Sequence, residues 1–343
     1  MPFWWPIPVV VAFLISTWLT PVIRRVALRF GVIDSPDGGR KLHAAPTPLL
    51  GGLAIILGFL IPTSFVLLWS NVLTSGSITP THYLGFFLGI LLLTIGGVID
   101  DKFATSAKYS FALFIAASLI AVLGGINVSK MTNPFGGILT LAPFAASAVA
   151  FIWILAMTMT TKLLDGVDGL TTSVSMVAAL MMAALALTPT YFQSDVALLS
   201  LMFAGATLGF LLWNWNPASI FLGESGSTVL GFIVGVLSVI AGSKMATALL
   251  VLGIPAIDVA LVAFRRLLLK KNPFTTADRR HFHLMLRDAG LSPSQVVSLY
   301  SGVALLFGLT SLVFASWQKL LALAIVGLLT AIGVTILAKR LRV

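Results

Sequence analysis

Eleven apolar runs, each about twenty residues long, follow one another with only short polar or Gly/Pro-rich stretches between them. They fall at 3–23, 49–70, 83–99, 109–126, 143–161, 172–188, 196–213, 227–241, 246–264, 296–315 and 319–338. A run of this length closes its own backbone hydrogen bonds and matches the hydrocarbon thickness of a bilayer. The expectation is an all-α polytopic membrane protein of about eleven transmembrane helices, with 1–343 as a single integral membrane domain. Only 9% of residues are charged and the mean hydropathy is +1.05, whereas soluble domains carry roughly 25% charged residues. The first run lacks a basic start and continues far enough to span, which argues against a secretory leader. The absence of cysteine excludes disulfides and thiolate metal sites. No internal repeat, heptad or low-complexity tract stands out, and 127–142 reads as a small hairpin without a legible function.

The runs divide the loops into two alternating sets. One set, 24–48, 100–108, 162–171, 214–226, 265–295 and the C-terminal tail, holds 18 of the 21 Lys and Arg. The positive-inside rule puts that set in the cytoplasm, with the N-terminus outside and the C-terminus inside. The formal charge of +10 is then loop charge that sets orientation, and no nucleic-acid partner is expected. The same division sorts the acids. Asp34, Asp37, Asp100, Asp101, Asp165, Asp168, Glu224, Asp278 and Asp288 fall on the cytoplasmic side, Asp195 falls outside, and Asp258 lies within a run.

Acids at the ends of apolar runs are costly unless a cation or hydrogen-bond donors meet them. Asp100 and Asp101 stand side by side after 83–99, followed by Lys102. Asp165 and Asp168 are each followed by glycine and share a face if their segment is helical. Lys162 stands three residues before Asp165, as a possible ion-pair partner, a phosphate contact or a plain orientation charge. Glu224, the one glutamate of the chain, sits between Gly223 and Ser225, where helix-start amides suit a phosphate. One such acid alone reads as a cap or a solvated loop end. Five on one face read as a site, and carboxylates with phosphates are the ligands Mg²⁺ takes.

Basic residues gather in two of the same loops. Arg265, Arg266, Lys270, Lys271, Arg279 and Arg280 precede His281 and His283. Orientation explains most of these charges, since basic loops suit anionic lipid heads and phosphates alike. It does not explain the run from Asp278 to His283. Two histidines at i and i+2 do not share a helix face, which favours a loop contact to phosphate over a zinc site. In the first loop, Pro46-Thr47-Pro48 imposes an extended segment, and Gly51-Gly52 opens the second run.

The ordered set of these stretches resembles the polyprenyl-phosphate N-acetylhexosamine-1-phosphate transferase superfamily. The resemblance is carried by Lys41-Leu42-His43 with Pro46-Thr47-Pro48 and Gly51-Gly52, by Gly96 to Lys102, by Asp165 to Leu170, by Asn214 to Ser227, by Ile254 to Ala260 and by Asp278 to His283. It runs from about residue 34 to 291, in family order.

The resemblance implies a multi-pass enzyme of the cell (cytoplasmic) membrane that joins a polyprenyl phosphate to the sugar phosphate of a UDP-N-acetylhexosamine, with UMP released. GlcNAc is the favoured sugar. Mg²⁺ is the implied cofactor and Mn²⁺ its alternative, and a homodimer is among the implied assemblies. Asp100 and Asp101 match paired acids assigned to lipid-phosphate activation or metal binding. Glu224 matches a metal ligand, with Asp101 beside it. Asp165 and Asp168 match acids near a uridine pocket, and Asp165 joins Asp100, Asp101 and His281 as a catalytic candidate. Phe221 matches an aromatic that stacks on uracil, and His283 belongs to a cluster near the phosphates. Lys41, His43, Lys102, Lys162, Asn214, Gly223, Arg279 and Arg280 complete the substrate-binding candidates. The family usually carries asparagine where Lys162 stands, aspartate where Glu224 stands and a third histidine where Leu284 stands. The rival readings are a muropeptide-type transferase, a transporter, which needs acids near the midplane of its spans, and a scaffold with a decayed site.

Overall fold

Apolar stretches of this length have one way to bury their backbone polar groups, and the computed structural model is built almost wholly of helices. It describes residues 3–36, 46–76, 78–133, 135–241, 244–268 and 281–341. In chain order the helices are α1 Pro6–Arg29, α2 Gly52–Trp69, α3 Pro80–Phe103, α4 Ala107–Leu123, α5 Pro143–Leu164, α6 Leu170–Ala186, α7 Ser194–Asn214, α8 Gly223–Ile240, α9 Met245–Val251, α10 Gly253–Leu268, α11 Phe282–Asp288, α12 Pro293–Val313 and α13 Ser316–Leu341. Among the described residues, eight helices are long and apolar enough to cross a membrane, and the bent pair α9–α10 makes a ninth. α4 and α6 are apolar but shorter. Each of the eleven apolar runs therefore falls on a helix or on the bent pair.

Two short antiparallel ladders complete the structure. β1 (Ile33–Asp34) pairs with β2 (Thr47–Pro48), so the segment held extended by its prolines closes the first loop. β3 (Lys130–Thr132) pairs with β4 (Ile138–Thr140) and forms the hairpin read at 127–142.

The helices overrun the hydropathy boundaries, and this moves the acids. α3 continues four residues past Ile99, so Asp100, Asp101 and Lys102 lie in its last turn, not in a loop. It stops at Ala104, which is in the left-handed conformation at φ +48°. α8 begins at Gly223, so Glu224 lies in its first turn. The run 246–264 is not one helix. It bends by 82° between α9 and α10, where Gly253 and Pro255 weaken continuation and Pro255 supplies no N–H.

α8 is the axis of the bundle. Neighbours bury 89% of its apolar stretch, against 17% for the peripheral α13. It packs against α2, α3, α5 and α6. Small residues make these approaches close. A Cβ on Gly52 would lie 2.1 Å from Gly226 Cα, and one on Gly97 would lie 2.4 Å from Ser225 Cα. Without a hydrophobic drive between helices in lipid, such close backbone packing is what holds them together. It also brings the last turn of α3 and the end of α5 beside the first turn of α8.

Candidate active site

The start of α8 needs partners for amides that no helical carbonyl can reach. Asp101 supplies them from α3. Its Oδ1 accepts from the Glu224 amide at 2.6 Å, and its Oδ2 accepts from the Ser225 amide at 3.3 Å and the Ser225 hydroxyl at 3.0 Å. A carboxylate here also meets the positive end of the helix dipole. Gly223 stands at φ +74°, and a Cβ on it would lie 2.4 Å from Asp101 Oδ2. That position requires glycine, and its place is structural: it lets the acid reach the helix.

Asp100 is differently placed. It is half-buried, and its Oδ1 accepts from the Thr105 hydroxyl. It lines a narrow gap with Ser110, Phe114, Glu224 and Thr228. Glu224 pairs with Lys162, from the last turn of α5. Lys162 Nζ also lies 5.1 Å from the centroid of the Phe114 ring, a cation–π distance. The sequence spacing offered Asp165 as the partner of Lys162. That pairing requires the helix to continue, and α5 ends at Leu164 with Asp165 as its C-cap at ψ +60°. Lys102 is exposed, with Nζ 5.4 Å from the ring centroid of its neighbour Phe103.

The loop between α5 and α6 carries the next two acids, in a turn that is not α-helical. Asp168 Oδ2 accepts from Asn216 Nδ2 at 2.8 Å and from the Ala218 amide at 3.0 Å, which ties this loop to the one before α8. Asn214 is buried and accepts from Thr172 Oγ1 at 2.9 Å, while its Nδ2 donates to the Ile220 carbonyl at 3.1 Å. It staples the loop on which Phe221 sits. The Phe221 amide donates to the Pro48 carbonyl and its carbonyl accepts from the Gly51 amide, both at 2.9 Å. Asp165 is pushed up to about 7, first by desolvation and then by the charges of Glu224, Asp101 and Asp168. Asp101 and Asp168 thus tie the end of α3 and the α5–α6 loop to the segment that leads into α8.

Asp258, buried in α10, accepts from His281 Nδ1 and from the Phe282 amide, each at 2.9 Å. His281 caps α11, and its ring stacks on His283 with centroids 5.7 Å apart. Both rings are buried. His283 is pushed down to about 3 by burial and by His281, so it stays neutral. A Cβ on Gly166 would lie 2.9 Å from His283 Nε2, which brings the histidines against the Asp165 loop. Asp258 is the partner that motif reasoning left without a role. The available signal was an acid inside an apolar run, which demands a partner. Lys41, His43, Arg279 and Arg280 lie outside the described residues.

The donor set bears on the implied metal. Oxygens of Asp101 cap α8, and the Glu224 carboxylate holds an ammonium. This arrangement does not fit a divalent ion resident in the protein.

Residues 83–242, which contain all five acids, match glycosyl transferase family 4. The chain is similar to the probable undecaprenyl-phosphate N-acetylglucosaminyl 1-phosphate transferase of Bacillus subtilis, at 31% identity over 94% of this chain and 89% of that one. It is similar at 30% to the decaprenyl-phosphate N-acetylglucosaminephosphotransferase of Mycolicibacterium smegmatis, over 95% of this chain and 86% of that one. A third relative, the undecaprenyl-phosphate alpha-N-acetylglucosaminyl 1-phosphate transferase of Thermotoga maritima, is 30% identical over 81% of this chain and 80% of its own length. With the motif order and this nearly full-length similarity together, the chain belongs to glycosyl transferase family 4, among the polyprenyl-phosphate N-acetylhexosamine-1-phosphate transferases.

Proposed function

We propose that this protein transfers N-acetylglucosamine 1-phosphate from UDP-GlcNAc to a polyprenyl phosphate. A lipid phosphate oxygen attacks the β-phosphorus of the donor. A new P–O bond forms, the bond to the α-phosphate oxygen breaks, and UMP leaves. The observation that supports this most is that Asp101 holds the amides of the first turn of α8, Asp100 and Glu224 line one gap beside it, and Asp168 ties the α5–α6 loop to the segment that leads into α8. The names of the relatives support the same reaction. In this reading the eleven apolar segments all cross the bilayer and the site faces the cytoplasm.

The two adjacent acids divide the work. Asp101 is engaged by the amides of α8 and positions that helix start. Asp100 faces the gap and takes the last proton of the lipid phosphate or orients it. A phosphate monoester has a second pKa of about 6, so the demand on a base is small. In this reading Asp165, Asp168 and Phe221 serve the nucleotide. Mg²⁺, or Mn²⁺ in its place, enters with the nucleotide diphosphate as part of the substrate.

Release of UMP from a panel of UDP-sugars, with polyprenyl phosphate and Mg²⁺ present, tests the donor. UDP-GlcNAc should turn over at least tenfold faster than UDP-MurNAc-pentapeptide. The reverse order would make the protein a muropeptide-type transferase, and no release with any donor would sink the transferase reading.

A further inference from the structure

Glu224 is the one glutamate in the chain and stands in the first turn of the most buried helix, with 15% of its side chain exposed. A carboxylate so placed needs a compensating charge. The protein provides one. Lys162, 62 residues earlier in the chain, donates its ammonium to Glu224 Oε1. The Phe114 ring lies beneath that ammonium, so its position is held from two sides. The Lys162 side chain keeps 27% exposure, which leaves it reachable from outside the bundle. A divalent ion at this carboxylate would have to sit beside the ammonium on Oε1, and two cations that close repel each other.

We propose that Lys162 is the resident cation of Glu224: it excludes a divalent ion from the apo protein and presents a fixed positive charge to the diphosphate of an incoming nucleotide. Only the identity of that anion rests on the proposed transfer. The exclusion of metal rests on the pair itself. An ammonium is a compact point charge with three donors, so it can hold a carboxylate and a phosphate oxygen together.

The experiment is a Mn²⁺ titration of the detergent-solubilised apo protein, followed by electron paramagnetic resonance. Wild type should bind no more tightly than Glu224→Gln. Lys162→Met should gain a Mn²⁺ site at least tenfold tighter than wild type, and Lys162→Met with Glu224→Gln should lose it. Thermal unfolding guards against misfolding. Lys162→Met should unfold at lower temperature than wild type, with added Mn²⁺ restoring it, while Lys162→Arg stays near wild type. UDP titrated without divalent ion should bind at least tenfold more weakly to Lys162→Met and near normally to Lys162→Arg. A wild-type Mn²⁺ site that Glu224→Gln abolishes, or no gain of Mn²⁺ affinity in Lys162→Met, would overturn the exclusion. Equal UDP affinity in all three proteins would overturn the phosphate contact. None of these readouts needs turnover, so failure to use UDP-GlcNAc would sink the proposed function and leave this inference standing.

Discussion

Asp100 and Asp101 are adjacent in sequence, yet the helix sends their side chains to different work. One meets the gap and the other meets the amides of Glu224 and Ser225. Substitution by asparagine should separate the two roles. Asp101→Asn keeps a hydrogen-bond acceptor but loses the charge at the start of α8, and should cost about 1–2 kcal/mol of stability. Asp100→Asn should leave the unfolding temperature near wild type and lower kcat by about 10²–10⁴, the range for loss of a positioned acid–base group. Thermal unfolding and steady-state rates on both variants decide it, and a stability loss confined to Asp100→Asn would reverse the assignment. At this scale the candidate acids were legible, because each stands at the end of an apolar run. Their partners were not. Spacing reports only which residues share a local face, and Lys162 finds Glu224 across 62 residues of chain.

The elements explain which boundaries hydropathy misplaced. An apolar window closes at the first charged residue, whereas a helix closes where its backbone bonds end. α3 therefore carries Asp100 and Asp101 within its last turn, and α8 takes Glu224 into its first. The bend at Leu252, between α9 and α10, had a signal in Pro255, but the apolar run around it masked the break. α11 was hidden inside a basic loop, since its seven residues are too few for a periodic signal. This short helix carries a pH-dependent element. Burial and His281 hold His283 down at about 3, below the usual 6.5 of an unfolded chain. The unfolded state then binds the extra proton over the interval between those values. Its contribution to stability is present above about 6.5 and is lost as pH falls towards about 3. His283→Gln should flatten the fall of the unfolding temperature across that interval, whatever its effect at neutral pH. An unchanged slope would mean that His283 is not buried as a neutral ring.

The whole molecule places a nearly buried helix at its centre and brings the ends of α3 and α5 to its first turn. Alternation of the apolar runs assigns the acid-bearing and basic loops to one set in the sequence alone. The crossing of α8 by close glycine contacts was not legible there, since the contacting pairs lie far apart in the chain. The central claim is that this convergence moves a sugar together with its phosphate. It is tested most directly with UDP-GlcNAc that carries one radiolabel in the sugar and a different one in the β-phosphate. Purified protein, polyprenyl phosphate and Mg²⁺ should yield a lipid-linked product holding both labels in equal amounts, with one UMP for each lipid modified. A lipid product that holds the sugar label alone, with UDP released, would contradict the account.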